Sequence, residues 1–246
     1  MNNSPRYAIL SDIHGNRWAL EAVLEDLQKR HISQIINLGD SIYGPLDPLG
    51  TIKLILKWDM ISIAGNQDRI LFENQYSDNL NVRIIRSKIS DIHLDYLKSL
   101  PATLHYNGLF LCHGIPKSDN EYLFEHILPD TVEIRSSNEL QNIIQEISAK
   151  CVCCGHSHLH RDVRLSDGTL ILNPGSVGLP AYDDDMPYYH KMETKSPDAH
   201  YSVLYQENGI WQVEHHQVSY PWKKAVLMAE KNDRPDWARW LATGMA

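Results

Sequence analysis

The sequence lacks both a long apolar run and an excess of basic residues. No segment approaches the ~20 apolar residues that a membrane-spanning helix needs, and residues 1–6 show no signal peptide. With 23 Lys and Arg against 31 Asp and Glu, the net charge is -8, which gives no positive field for an obligate nucleic-acid partner. A small nucleotide remains compatible with this charge. These absences predict a cytoplasmic protein with no membrane partner.

Cysteine is also scarce, with four residues in the chain of 246. Three of them fall in the segment Cys151-Val152-Cys153-Cys154, which could be interpreted as a site for a soft metal. Neighbouring residues of a strand point to opposite faces, so these three thiols cannot converge on one ion. We therefore interpret the segment as a buried strand, and so small a number of cysteines fits the cytoplasm.

The chain shows no internal repeat and no low-complexity linker, and this predicts one domain over residues 1–246. Its length is sufficient to bury a full hydrophobic core. A hydrophobic content of 43% is ordinary for a globular protein. The last residues, about 221–246, are expected to form a helical tail. No feature of the sequence indicates an oligomeric state.

The order of the predicted elements changes halfway along the chain. The first half alternates strands at 7–10, 34–38 and 61–64 with helices at 17–30, 48–58 and 90–100. The second half has strands at 103–106, 109–112, 151–154, 162–165, 169–172, 201–206 and 210–215, with turn signals such as Asn107-Gly108 and Asn208-Gly209. Residues 182–197 are predicted to be a long loop. This order favours two packed sheets flanked by helices.

Five short polar motifs each follow a predicted apolar strand directly. They are Asp12-Ile13-His14, Gly39-Asp40, Gly65-Asn66, His113-Gly114 and Gly155-His156-Ser157-His158. Side chains at the carboxyl ends of strands in open α/β sheets meet in one crevice. The motifs should therefore gather two Asp, one Asn and four His in one place.

This set of side chains indicates a metal centre. Imidazole combined with carboxylate and amide oxygen suits Mn, Fe, Zn, Co or Ni, whereas Ca and Mg prefer oxygen ligands alone. Each motif carries little information by itself, because a single buried His is more often a hydrogen-bonded core residue than a ligand. Five motifs in this order, each after an apolar run, favour a shared site.

At these motifs the sequence resembles the calcineurin-like metallophosphoesterase superfamily, whose hallmark is the ordered set Asp-x-His, Gly-Asp, Gly-Asn-His-Asp/Glu, His and Gly-His-x-His. The segments Gly44-Pro45-Leu46, 173–180 and 234–239 further resemble its bacterial single-domain branch, which is similar to diadenosine tetraphosphatases. The resemblance implies an α/β fold, a four-layer α/β/β/α sandwich of two mixed sheets flanked by helices.

The resemblance also implies two divalent metal ions, with Mn favoured, and a hydroxide between them that attacks a phosphate ester. One ion would be held by Asp12, His14 and His158, the other by Asn66, His113 and His156, with Asp40 bridging both. Asp40, Asn66, Gln67 and His113 would then be the catalytic residues. The implied activity is hydrolysis of phosphodiester or nucleotide phosphoanhydride bonds in a small substrate. A phosphomonoesterase or protein phosphatase, and a metal-bound module without catalysis, are the alternatives.

Gln67 is the one departure from the family motif, which usually has His at this position. That His is thought to contact the phosphate and to protonate the leaving oxygen. Gln can donate a hydrogen bond but cannot give up a proton near neutral pH. We therefore expect substrates whose leaving group departs unprotonated, unless His160 or His190 supplies the proton. Asp68 would then hold Gln67 or Arg69 instead of the missing His.

Other residues near the motifs have both a functional and a structural interpretation. The acidic, aromatic segment 182–190 could be a lid that selects substrate or a solvated loop. Tyr122 and Phe124 could form a base-stacking wall, although aromatic residues more often belong to the core. Asn173 and Ser176 are expected to orient ligands rather than to bind metal.

Overall fold

Two five-stranded mixed sheets flanked by helices form the protein, as shown by a computed structural model that describes residues 5–73 and 78–246. Residues 1–4, part of the segment inspected for a signal peptide, lie outside the described residues. The strands are β1 (Tyr7–Leu10), β2 (Gln34–Asn37), β3 (Ile61–Ser62), β4 (Thr103–Tyr106), β5 (Leu109–Cys112), β6 (Glu125–Ile127), β7 (Val132–Ile134), β8 (Cys151–Cys153), β9 (His160–Arg164), β10 (Leu170–Pro174), β11 (Ala181–Asp184), β12 (His190–Glu193), β13 (Ala199–Glu207) and β14 (Ile210–Val218). The helices are α1 (Arg17–Lys29), α2 (Pro48–Lys57), α3 (Asn66–Ile70), α4 (Leu80–Lys88), α5 (Asp91–Ser99), α6 (Ser137–Ile143), α7 (Trp222–Lys231) and α8 (Pro235–Thr243).

The sheet order brings early and late strands side by side. The first sheet has the order β14-β13-β1-β2-β3, with β1, β2 and β3 parallel and β13 antiparallel to β1. The second has the order β4-β5-β8-β10-β9, in which β5, β8 and β10 are parallel. The parallel strands of each sheet end at a common edge, which is where the polar motifs follow them.

The hydrophobic core has one layer between the sheets and one on the outer face of each. Between the sheets, Ile9 and Ile36 of the first sheet belong to the same cluster as Leu111 and Leu172 of the second. The outer face of the first sheet packs on α1, α2, α7 and α8. The outer face of the second packs on α6. This arrangement agrees with the predicted sandwich.

The cysteine segment confirms the predicted alternation of faces. Cys151 and Cys153 point into the layer between the sheets, while Val152 and Cys154 point into the outer layer against α6. The thiols therefore lie on different faces of the sheet and are buried hydrophobic side chains. All four cysteines are free.

The prediction of a long loop over residues 182–197 is wrong. Strands β11 and β12 form an antiparallel hairpin there, with Tyr182 opposite Met192. The alternation that builds the hairpin is weak in the sequence, because an acidic run and several aromatic residues interrupt it. Ala181, His190 and Met192 are nevertheless buried. Sequence reasoning also missed the short elements β6, β7, α3, α4 and α6.

No helix among residues 5–73 and 78–246 combines the length and the apolar character needed to cross a membrane.

Asn16 ties the first motif to distant parts of the chain. Its side-chain oxygen accepts a hydrogen bond from the Ala19 amide and so caps α1. Its side-chain nitrogen donates to the Gly178 carbonyl and to the Tyr220 hydroxyl, both at 2.9 Å. One buried amide thus joins the loop after β1 to two segments more than 160 residues away.

We expect Asn16→Ala to lower the free energy of unfolding by about 2–3 kcal/mol, because it removes a helix cap and leaves buried groups without partners. Tyr220→Phe, which removes only one of these bonds, should cost about 1 kcal/mol. Urea unfolding in the presence of a chelator measures both variants on the same basis. Equal stabilities of Asn16→Ala and the wild type would contradict this role.

Candidate metal centre

The polar motifs bring six potential ligands together in two groups at the edge of the sandwich. Within each group, the ligand atoms all lie within 4.8 Å of one another. The first group is Asp12, His14 and His158, and the second is Asp40, His113 and His156. Asn66, the seventh residue expected here, begins α3 and has a buried side-chain oxygen without a hydrogen-bond partner.

Backbone carbonyls fix which nitrogen keeps its proton in three of the histidine rings. A carbonyl only accepts hydrogen bonds, so the Nδ1 atom facing it carries a proton, and in the neutral ring Nε2 presents a lone pair. These pairs are His14 with Tyr43 at 2.9 Å, His113 with Leu38 at 2.8 Å and His158 with Leu179 at 2.6 Å. In the neutral rings, all three Nε2 atoms are therefore available as ligands.

The Nε2 atoms of His14 and His158 lie 3.1 Å apart. When both rings are neutral and their Nδ1 protons are donated to carbonyls, two lone pairs face each other at this distance. Nearby, Asp12 Oδ1, Asn66 Oδ1 and His113 Nε2 are buried without a partner. Such atoms cost about 1–3 kcal/mol each when unsatisfied. The nitrogen and oxygen donors present therefore fit divalent metal ions.

In Asp12 and Asp40, one carboxylate oxygen accepts a hydrogen bond from a backbone amide and the other lies near the ligand imidazoles. Asp12 Oδ2 accepts from the His156 amide at 3.1 Å, while Oδ1 lies 3.3 Å from His158 Nε2. Asp40 Oδ1 accepts from the Gln67 amide at 2.9 Å. Asp40 Oδ2 lies 3.5 Å from His113 Nε2 and 4.0 Å from His14 Nε2, so this oxygen faces both ligand groups.

The electrostatics of the site favour ionised carboxylates. Burial by itself would raise the pKa values of Asp12 and Asp40, but the surrounding imidazoles lower both below the usual range. Burial would likewise lower the pKa of His113, yet Asp40 and Asp12 raise it to about 10. The negative charge that draws a proton to His113 would also attract a cation.

Two other imidazoles are held in the neutral form that binds metal. Burial and then His158 lower the pKa of His14 to about 4. Burial and then His113 lower the pKa of His156 to about 4. At neutral pH both rings are uncharged, so no proton has to leave before they act as ligands.

The backbone is strained at most of the expected ligands. Five of the expected ligands have φ in the left-handed region, namely Asp12 (55°), His14 (51°), Asp40 (53°), His156 (71°) and His158 (62°). This conformation is uncommon for residues other than glycine and costs of order 1 kcal/mol or more at each position. The backbone of these motifs therefore adopts an unfavourable conformation that directs the ligand side chains into the site.

Two glycines let the second and third motifs approach each other. Gly39 has φ of 102°, and a Cβ atom there would overlap the Gly65 backbone. A Cβ atom at Gly65 would overlap the Asp40 carboxylate. Only glycine at both positions allows Asp40 and Asn66 to lie side by side.

Asn173 and Ser176 orient the ligand loops, as expected for residues that do not bind metal themselves. The Asn173 side-chain nitrogen donates to the Gly155 carbonyl at 2.7 Å. The Ser176 hydroxyl donates to the Asp12 carbonyl at 2.8 Å. Both hold the backbone that carries a ligand.

A pocket of about 380 Å³ opens beside the ligands. Four of the expected ligands line it together with Gln67, namely His14, Asp40, His156 and His158. The remaining lining residues are Tyr43, Asn79, Asn81, Leu179, Tyr182, Asp183, Asp184, Arg234, Trp237 and Trp240. Sequence reasoning missed Tyr43, Asn79 and Asn81. It noted Arg234 only within the segment 234–239.

Asp68 does not hold Gln67 or Arg69, so that prediction is wrong. Its two oxygens accept from the backbone amides of Ser41 and Gly65, each at 3.0 Å. Burial and the neighbouring Asp40 raise the pKa of Asp68 to about 7. The Arg69 guanidinium instead pairs with Asp119 at 2.9 Å.

The two alternative proton donors lie away from the pocket. His160 begins β9, and its Nδ1 atom lies 3.1 Å from His200 Nδ1. His190 is buried, with the Tyr122 hydroxyl 3.0 Å from its Nε2 atom. Neither side chain lines the pocket, so Gln67 stands there without either of them.

Tyr122 and Phe124 form no base-stacking wall in this pocket. The Tyr122 ring stacks on the His156 imidazole with a centroid distance of 4.5 Å, and it is buried. Phe124 belongs to the core on the outer face of the second sheet. The segment 182–190 contributes Tyr182, Asp183 and Asp184 to the pocket from the β11–β12 hairpin.

Comparisons with known proteins agree with this geometry. Residues 6–196 match the calcineurin-like phosphoesterase superfamily domain. An uncharacterized protein of Methanocaldococcus jannaschii is 28% identical over 247 residues, which cover 94% of each chain. A crystal structure of a metallophosphoesterase from Sphaerobacter thermophilus has a TM-score of 0.76 at 23% identity, covering 98% of this chain and 100% of that one. A candidate diadenosine tetraphosphatase has a TM-score of 0.55 at 18% identity, covering 89% and 96%. The chain therefore belongs to the calcineurin-like phosphoesterase superfamily and is a phosphoric ester hydrolase.

Proposed function

We propose that the protein hydrolyses phosphodiester or nucleotide phosphoanhydride bonds with two divalent metal ions. The observation that carries this proposal is the position of Asp40 Oδ2, which faces His113 of one ligand group and His14 of the other. In this assignment Asp12, His14 and His158 hold one ion, and Asn66, His113 and His156 hold the other. Asp40 lies between them, where two dications need an anion.

Mn is the ion that we propose first, followed by Fe, Zn, Co or Ni, because the donors are a mixture of imidazole, carboxylate and amide. Bound ions of this kind activate water and offset the charge that develops on phosphoryl oxygens. The chain itself supplies the geometry. The carbonyls behind His14, His113 and His158 fix the rings, so the ligand atoms need no rearrangement when substrate binds.

Gln67 determines which substrates this site serves best. Its side chain lines the pocket next to Asp40, where it can donate a hydrogen bond to a phosphoryl oxygen but cannot give a proton to the leaving group. Phosphoanhydrides and aryl esters release stable anions, so they can react without a general acid. Alkyl monoesters release unstable alkoxides and need one, so the lack of a general acid disfavours a phosphomonoesterase or protein phosphatase. The name of the diadenosine tetraphosphatase neighbour is consistent with a nucleotide substrate.

Two further proposals concern the chain as a whole. We propose that residues 1–246 form one domain, because α7 and α8 share a hydrophobic core with α1 and β1. We also propose a cytoplasmic location, because all four cysteines are free and buried, as is usual where thiols stay reduced.

Removal of metal should abolish activity. After treatment with a chelator and dialysis, hydrolysis of bis(4-nitrophenyl) phosphate should fall to background, because the ligands alone have no group that activates water. Addition of Mn should restore it. Metal content by mass spectrometry provides the parallel measurement. Full activity of metal-free protein in the presence of chelator would exclude the proposed mechanism.

Asp40→Asn should reduce activity roughly 10²–10³-fold and more than His14→Ala, because it removes an anion that faces both ligand groups. The same variant should bind less metal per chain. Asp95→Asn, an identical change at an exposed position, is the control for handling and purity. Two tightly held ions and near-normal rates in Asp40→Asn would refute the bridging role.

Gln67→His should raise the hydrolysis of alkyl monoesters by about 10²-fold, the low end for a placed general acid. In the wild type, the rate should depend steeply on the pKa of the leaving group, because no protein proton offsets the charge on the departing oxygen. The measurement is the rate for a series of aryl and alkyl phosphates with both proteins. A shallow wild-type dependence that the substitution leaves unchanged would show that another group already supplies the proton.

A further inference from the structure

The pocket extends from the metal ligands to the C-terminal segment. Trp237 of α8 lies between the two regions, with its ring 5.8 Å from the His14 imidazole and 5.4 Å from the Arg234 guanidinium carbon. Arg234 is the residue that precedes α8, and it lines the pocket. One indole ring therefore separates this guanidinium from a proposed metal ligand.

The Arg234 guanidinium is held in a fixed direction by two neighbours. Nε and Nη2 donate to the two oxygens of Asp236 at 2.9 and 2.5 Å. Nη1 donates to the Asn81 side-chain oxygen at 2.7 Å, and Asn81 is buried. These bonds use three of the five N–H groups of the guanidinium. The other two, one on Nη1 and one on Nη2, have no acceptor among the residues that the structure describes.

The distribution of charge in the pocket singles out this side chain. Arg234 is the one lysine or arginine among the described residues that line the pocket. The pocket lining also carries two carboxylates, Asp183 and Asp184 of β11. An anionic group that extends from the metal centre is repelled by these carboxylates and attracted to the Arg234 guanidinium. The planar fork of arginine matches phosphate oxygens well, and a fork that is already fixed loses little entropy on binding.

We propose that Arg234 binds a second phosphate group of the substrate, next to the phosphoryl group that reacts at the metal centre. This inference rests on the proposed function and narrows it to substrates with at least two linked phosphates, such as nucleoside polyphosphates. A simple diester occupies the metal centre but does not reach Arg234 with a charged group. Arg234 thereby distinguishes phosphoanhydrides from diesters.

The test compares Arg234→Gln with Arg239→Gln in the Mn-loaded protein of residues 1–246. Arg239 lies on the same helix but is exposed and outside the pocket, so it is a matched control. With diadenosine tetraphosphate as the probe, Arg234→Gln should raise KM about 10-fold or more, the effect of one lost charged hydrogen bond. With bis(4-nitrophenyl) phosphate the change in KM should be several-fold smaller. Arg239→Gln should alter neither.

A binding measurement makes the test independent of turnover. Methylenediphosphonate, whose bridge cannot be hydrolysed, and orthophosphate are titrated into the Mn-loaded proteins by calorimetry. Arg234→Gln should raise the Kd of methylenediphosphonate about 10-fold and the Kd of orthophosphate much less. If wild type hydrolyses neither ester probe, the proposed function fails, and the titration still decides the role of Arg234.

Asp236→Asn separates phosphate binding from a purely structural role of Arg234. This variant weakens the ion pair at the start of α8 but keeps the guanidinium in the pocket. If Arg234 only anchors the tail, Asp236→Asn should lose affinity for the tetraphosphate as severely as Arg234→Gln. That outcome, or wild-type KM and diphosphonate affinity in Arg234→Gln, would overturn the proposal. Retained tetraphosphate affinity in Asp236→Asn, together with a loss in Arg234→Gln, would support it.

Discussion

The contact between His14 Nε2 and His158 Nε2 imposes a constraint on which much of the site depends. In the neutral rings both Nδ1 protons are donated to carbonyls, so two lone pairs face each other across 3.1 Å, and this contact is favourable only when a cation lies alongside. The five ligand residues with φ in the left-handed region add a conformational cost of about 1 kcal/mol or more each. Such a sum is large against a total stability of about 5–15 kcal/mol. A bound metal ion would offset this cost, and ion occupancy would then be coupled to folding.

The loops that carry the ligands are joined to one another by residues that need not touch metal. Asp68 accepts from Ser41 beside Asp40 and from Gly65 beside Asn66, and so fixes the spacing of two motifs. Ser176 fixes the loop of Asp12 in the same manner. The ligand positions are therefore set by hydrogen bonds to backbone, which the identity of the bound ion does not change. This makes the geometry of the site a property of the fold.

The sequence predicts those features that depend on local pattern. An apolar run followed by Asp12 or by His113 identifies a strand end, and strand ends of one sheet meet at one edge. The hairpin of β11 and β12 escaped prediction because its buried positions, Ala181, His190 and Met192, stand among acidic and aromatic residues. Asn81 and Arg234 line the pocket and are hydrogen-bonded to each other, although they are 153 positions apart in the sequence. Only tertiary packing brings them together.

At position 67, glutamine can stand where the family usually has histidine without altering the geometry of the metal ligands. The backbone amide of Gln67 donates to Asp40 Oδ1, and this bond is available to any residue except proline. Asp68 makes its hydrogen bonds to Ser41 and Gly65 rather than to the side chain at position 67, so it requires no histidine there. The fold therefore places the residue that follows Asn66 in the lining of the pocket. The chemistry of that side chain, glutamine rather than histidine, can vary without disturbing the ligands around it.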